Sequence, residues 1–128
     1  ADFVKTKKMQ PDVRKSVHPI TASFDGDVDR LMFYNSEMRL FDGDAQAAYI
    51  VHYIKGLVDA EGIQCSIGVV LSFYSNMGAV EYLQKNFKVV FAQTGVKNFV
   101  REARSFDVGV YYEPNGHGSI HFSRKFLD

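Results

Sequence analysis

Three aspartates at alternate positions, Asp25, Asp27 and Asp29, carry the clearest chemistry in the sequence. Gly26 separates the first two and lets the backbone curl, and Arg30 follows the third. Carboxylates crowded on one short loop repel one another unless a cation or bound protons neutralise them. Hard oxygen donors converging in this way suit magnesium, which takes a few carboxylates and completes its octahedron with water or a substrate phosphate. The plainer reading is a solvated acidic turn, since aspartate and glycine are ordinary turn formers; the mutual repulsion weighs against it. Arg30 also has two readings, a salt bridge within the loop or a bidentate hold on a phosphate whose other oxygen rests on the metal. The neighbouring metal favours the second.

Two other acidic patterns differ from this one. A calcium EF-hand needs glycine at the sixth loop position and glutamate at the twelfth, and counting from Asp25 those places hold Arg30 and Ser36. A haloacid-dehalogenase-type phosphatase also begins with a strand and two aspartates, which would make Asp25 a nucleophile. Its pattern then asks for threonine or valine where Asp29 stands. That reading is kept as the alternative enzyme, and a non-catalytic interaction module as the alternative outside enzymology.

A second cluster lies far along the chain, at Glu113-Pro114-Asn115-Gly116-His117-Gly118. It follows an apolar run that reads as a buried strand, so its polar groups fall where strands of a parallel sheet end and ligands bind. Glutamate and asparagine there can bracket sugar hydroxyls. His117, between two glycines, can donate or relay a proton near neutral pH, although a lone histidine in a turn is more often structural.

The elements that must position these loops follow from hydrophobic periodicity. Residues 5–19 are charged, hold two prolines and read as a loop. Ile20 to Phe24 and Leu31 to Tyr34 read as strands on either side of the acidic loop. From Asp44 to Asp59 apolar residues recur every three or four positions behind Asp42-Gly43-Asp44, which predicts a capped helix. Ile67 to Leu71 is an uninterrupted apolar run, the mark of a strand covered on both faces. A helix over Gly78 to Asn86, a strand over Lys88 to Phe91, a helix over Val96 to Phe106 and a strand over Val108 to Tyr112 are expected next. Ser119 to Phe122 reads as an antiparallel edge strand. This alternation predicts an α/β fold, a three-layer α/β/α arrangement around a mixed, mainly parallel sheet, preceded by the strand-loop-strand unit.

Lysine plus arginine and aspartate plus glutamate both total 15, so no net field favours nucleic acid or an anionic membrane. The longest apolar runs fall far short of the roughly 20 residues that cross a bilayer. The single cysteine, Cys65, cannot form an internal disulfide, and a reducing, cytoplasmic setting is expected. The chain opens at Ala1 without an initiator methionine, which suggests a piece of a longer protein. Neighbours missing from such a piece would leave apolar surface and a sheet edge open to non-biological self-association.

Taken together, Ser23 to Arg30 and Glu113 to Gly118 resemble the α-D-phosphohexomutases, and within them the phosphoacetylglucosamine mutase family. The resemblance extends to Ala1-Asp2-Phe3-Val4-Lys5, Asp42-Gly43-Asp44, Thr94-Gly95-Val96-Lys97 and Phe106 to Tyr111. Val28 and Pro114 depart from it, each standing where alanine is common, and neither removes a ligand. The resemblance implies that residues 1–42 end a second domain carrying the metal loop, and that residues 43–128 form most of a third carrying the sugar loop. It implies a phosphoserine enzyme that interconverts N-acetylglucosamine 6-phosphate and 1-phosphate through a bisphosphate, for UDP-N-acetylglucosamine synthesis. Asp25, Asp27 and Asp29 would hold magnesium and Arg30 would approach the phosphoserine. Glu113, Asn115 and Gly116 would bind the sugar, with Thr94, Gly95 and Lys97 lining the substrate side. His117 would lie near the reacting groups, and either His117 or Lys97 would serve as base. No segment of the chain resembles the phosphoserine loop, so the isolated chain should be inactive.

Overall fold

The computed structural model describes residues 19–37 and 39–128. The expected loop over 5–19 lies, apart from Pro19, outside the described residues, as does the segment from Ala1 to Lys5. Two sheets are formed among the described residues. In the first, β1 (Ile20–Phe24) pairs antiparallel with β2 (Leu31–Asn35), with Phe24 opposite Leu31. The acidic residues are therefore the connection of a β-hairpin. A two-residue strand, β3 (Leu40–Phe41), adds to β2 with Phe33 opposite Phe41. It was not expected, because two residues show no alternation. Its turn is held by Asn35, whose Oδ1 accepts the Glu37 and Arg39 N–H groups at 3.0 and 2.8 Å.

Helix α1 (Gly43–Ala60) starts where Asp42 caps it, accepting the Ala45 N–H at 2.9 Å. Ala47, Val51 and Val58 point inward from it and are buried. The second sheet has the order β5 (Lys88–Ala92), β4 (Ile67–Ser72), β6 (Val108–Tyr112), β7 (Gly118–Phe122). Strand β4 runs parallel to β5 and β6, and β7 returns antiparallel to β6, so the sheet is mixed and mainly parallel as expected.

Helices cover both faces. Val69 and Leu71 of β4 pack with α1 and with α2 (Met77–Gln84) through Ala47, Val51, Val80 and Leu83. Val70 turns the other way, against Phe99 and Ala103 of α3 (Val96–Ala103). Successive residues of β4 thus enter opposite cores, which is why the strand is apolar from Ile67 to Leu71. Each such side chain contributes roughly 1.5–3 kcal/mol by burial.

Two helices are shorter than their periodicity suggests. Helix α2 ends where the Asn86 and Phe87 N–H groups both return to the Leu83 carbonyl, at 3.0 and 2.8 Å. Helix α3 stops at Ala103, and the Phe106 N–H closes a turn onto the Ala103 carbonyl at 3.2 Å. A last turn of helix, α4 (Arg124–Leu127), capped by Ser123, was not expected. No helix among the described residues is long and apolar enough to cross a membrane. The outer face of α1 leaves Tyr49, Tyr53 and Leu57 exposed, and Ile20 and Leu40 of the first sheet are exposed as well.

The chain leaves β4 for β5 on one side and then returns past β4 to β6 on the other. Strand order reverses there, and ligands bind outside the carboxyl ends of the strands at such a point. Leu71, fully buried between α1 and α2, tests this layering. Leu71→Ala is expected to cost about 2–5 kcal/mol in urea unfolding; a loss under about 1 kcal/mol would contradict the packing.

Candidate functional site

The hairpin connection is bent back on itself. The Val28 N–H donates to the Asp25 carbonyl at 3.3 Å, and Val28 adopts φ 61°, left-handed backbone that a β-branched residue rarely enters. Such a conformation costs on the order of 1–3 kcal/mol and persists only where its surroundings impose it. It draws the aspartates together, so that one oxygen from each of Asp25, Asp27 and Asp29 lies within 4.8 Å of the others. Asp25 is the inner member, its side chain 8% exposed, while Asp27 and Asp29 are open to solvent.

Arg30 secures this arrangement from behind. Its backbone N–H donates to Asp25 Oδ1 at 3.2 Å, and its Nε lies 3.4 Å from Asp25 Oδ2 and 3.7 Å from Asp29 Oδ1. Desolvation is the largest single influence and works to raise the Asp25 pKa, but the Arg30 N–H and guanidinium, with smaller help from the Asp25 N–H and Asp29, together hold the carboxyl below its ordinary value. Asp25 is therefore an anion at neutral pH, able only to accept. Within the loop three carboxylates face one guanidinium, an excess that a divalent cation would balance. Oxygen donors of this kind and crowding fit magnesium.

The second loop is the turn from β6 to β7. Its backbone closes with the Glu113 N–H on the His117 carbonyl at 2.8 Å and the Gly116 N–H on the Glu113 carbonyl at 3.0 Å. The Asn115 side-chain oxygen accepts the His117 N–H at 2.9 Å.

The two loops meet. Arg30 and His117 form an antiparallel bridge, and the Leu31 N–H donates to the Gly116 carbonyl at 3.2 Å. His117 lies between carboxylates of both loops, with Nε2 3.8 Å from Asp29 Oδ2 and Nδ1 3.6 Å from Glu113 Oε2. Those separations exceed a direct hydrogen bond, leaving room for the histidine to engage a bound group. Glu113 and His117 also share a small cleft with Val96, Phe99 and Tyr111. Val96 belongs to the Thr94-Gly95-Val96-Lys97 turn, which thus lies beside the turn from β6 to β7; Thr94 and Lys97 are exposed. Asp25, Asp27, Asp29, Arg30, Glu113, Asn115, Gly116 and His117 are brought together, with Thr94, Gly95 and Lys97 at the margin.

Sequence reasoning gave the first turn of α1 only a capping role. That turn also supports the site. Gly43 donates its N–H to the Pro114 carbonyl at 3.3 Å, and a Cβ there would lie 1.8 Å from the Glu113 oxygen. Gln46, 5% exposed, donates Nε2 to the Leu31 carbonyl at 2.7 Å and so ties α1 to the hairpin. A glutamine one position before the buried Ala47 was the available signal.

The model for the family described as phosphoacetylglucosamine mutase AMG1, domain III, matches residues 42–128. A probable phosphoacetylglucosamine mutase of Encephalitozoon cuniculi is 53% identical over 139 residues, covering 100% of this chain and 26% of the relative. The human phosphoacetylglucosamine mutase is 38% identical, covering 96% of this chain and 24% of its own. Among solved structures, Aspergillus fumigatus N-acetylphosphoglucosamine mutase in complex with GlcNAc-6P and magnesium superposes with TM-score 0.88 at 41% identity, over 98% of this chain and 27% of that one. An N-acetylglucosamine-phosphate mutase of the α-D-phosphohexomutase superfamily, in its product complex, gives TM-score 0.81 at 36% identity over 97% of this chain. The chain belongs to the phosphoacetylglucosamine mutase family. It spans about a quarter of the length of the curated relatives it matches. The dehalogenase alternative is not favoured, and Asp25, its required nucleophile, has both oxygens turned onto Arg30.

The seam between the loops can be tested at Gly116, which has φ +87° and where a Cβ would lie 2.3 Å from the Leu31 carbonyl oxygen. Gly116→Ala is expected to lower stability by about 2 kcal/mol or more in urea unfolding. Gly26→Ala, where nothing lies within 4 Å, should change it by less than about 0.5 kcal/mol. Equal effects would contradict the docking of the two loops.

Proposed function

We propose that this chain works within a longer protein as part of a phosphoacetylglucosamine mutase, interconverting N-acetylglucosamine 6-phosphate and N-acetylglucosamine 1-phosphate. The observation that carries the reading is the meeting of the three-carboxylate loop and the Glu113–His117 loop at one point, joined by the bridge between Arg30 and His117. Family membership supports it, as do the ligands of the relatives, namely GlcNAc-6P and magnesium in one A. fumigatus complex and glucose 1,6-bisphosphate in a serine-to-alanine variant. A bisphosphate bound to such a variant accords with a phosphoserine donor elsewhere in the longer chain. We assign residues 1–42 to the end of the second domain and 43–128 to the third, and place the protein in the cytoplasm.

Asp25, Asp27 and Asp29 would hold magnesium, which when bound neutralises charge on a transferring phosphoryl group. Arg30, fixed against Asp25, presents its guanidinium towards the same group. Glu113 accepts hydrogen bonds from sugar hydroxyls, and Asn115 donates to the ring substituents from its amide hydrogens. The Gly116 backbone keeps that loop against the hairpin. Thr94, Gly95 and Lys97 line the substrate side, Lys97 offering a cation to the distal phosphate. His117, between Asp29 and Glu113, is placed to take a proton from an attacking hydroxyl, and Lys97 is the other candidate for that step. Transfer of this kind depends chiefly on positioning and electrostatics.

The test is phosphorus NMR of the full-length protein with N-acetylglucosamine 6-phosphate. Accumulation of the 1-phosphate is expected, and Asp27→Asn should lower kcat about 100-fold or more while leaving the unfolding midpoint almost unchanged. Release of inorganic phosphate would support a phosphatase, and binding without reaction an interaction module. The 128-residue chain alone should give no turnover.

A further inference from the structure

Asp44 is a carboxylate to which the proposed chemistry gives no task. It lies in the first turn of α1 and is 1% exposed. Its Oδ2 accepts the Asn76 N–H at 2.7 Å, while its Oδ1 is buried with no hydrogen-bond partner among the described residues. Burial pushes its pKa up, and the Asn76 N–H and the nearby Ser75 hydroxyl only partly oppose the shift. A carboxylate withdrawn from water lowers stability unless its bonds compensate. What these bonds secure is the loop between β4 and α2.

That loop lies on the ligand edge of the sheet. Ser72 is paired with Ala92, the last residue of β5, just before the Thr94 turn. On its other side β4 pairs with β6 as far as Val70 opposite Tyr111, two residues before Glu113. The loop therefore runs between the two segments assigned to the substrate. It keeps its hydroxyls inward, with Ser72 and Ser75 buried and their oxygens 3.4 Å apart. It turns its aromatic groups outward, Phe73 stacking on Phe91 and Tyr74 81% exposed. An aromatic face beside hydrogen-bonding groups suits the C–H face of a sugar ring or the methyl of an acetamido group. The first turn of α1 also touches the sugar loop through Gly43, so one rigid turn spaces both loops.

We propose that Asp44 is a positioning residue that fixes the β4–α2 loop so that Tyr74 forms an aromatic wall of the sugar-phosphate cleft. This rests on the mutase reading. The test is steady-state kinetics of the full-length protein with N-acetylglucosamine 6-phosphate, alongside thermal unfolding. Tyr74→Ala, at an exposed position, should raise KM about tenfold with kcat within about twofold, the pattern of lost uniform binding. Asp44→Ala should move KM in the same direction. Asp44→Asn keeps an acceptor for the Asn76 N–H and should restore KM to within about twofold of the wild type. A merely structural role would lower the unfolding midpoint and the active fraction without moving KM, and that result overturns the proposal. If Asp44→Ala does not fold, Tyr74→Ala decides: an unchanged KM overturns the proposal and a raised one supports it. A wild-type protein that does not interconvert the sugar phosphates ends the mutase reading and this proposal together, whereas an active wild type with an indifferent Tyr74→Ala ends this proposal alone.

Discussion

Crowding of three carboxylates is the constraint on which the rest of the structure depends. Like charges a few ångströms apart repel, and more strongly at a protein surface than in bulk water. Asp25, Asp27 and Asp29, with oxygens all within 4.8 Å, form three such pairs. Arg30 offsets only part of this. A β-branched residue in left-handed backbone, Val28, adds strain to the same loop. A fold gains nothing for its own stability from that arrangement, so its use lies in what it can bind.

Holding such a loop requires anchors outside it, and they converge from three directions. The hairpin strands fix its ends, with Phe24 opposite Leu31. The β6–β7 turn grips its second strand through the Gly116 carbonyl, which accepts the Leu31 N–H, and α1 grips the same residue through Gln46, which donates to the Leu31 carbonyl. Leu31 thus has both backbone groups bound by other elements. The first turn of α1, through Gly43 and Asp44, in turn contacts the β6–β7 turn and the loop after β4. A small number of hydrogen bonds, from backbone and side chains alike, therefore connects the parallel sheet to the hairpin.

Much of this was legible in the sequence, for identifiable reasons. Strand β4 announced itself because a central strand covered on both faces must be apolar at every position, and α1 because its buried stripe recurs at helical spacing. The acidic triplet was legible because its members are near neighbours in the chain. The contact of His117 with Asp29 was not, since it depends on how two distant turns dock. The helices expected to run to Asn86 and Phe106 end at Gln84 and Ala103, because the Asn86 and Phe106 N–H groups close turns onto the Leu83 and Ala103 carbonyls. Strand β3 is made by its partner rather than by its own two residues. Gly43 and Asp44 read as capping residues because nothing local signals that a carbonyl and a loop from other elements lie against them.

The most direct measurement is an anomalous-difference map from crystals of this chain soaked in manganese, which substitutes for magnesium at oxygen sites. The account requires a single strong peak bonded to Asp25, Asp27 and Asp29, on the side of the hairpin that faces His117. A map with no peak there, and with the three carboxylates turned apart into solvent, would contradict it.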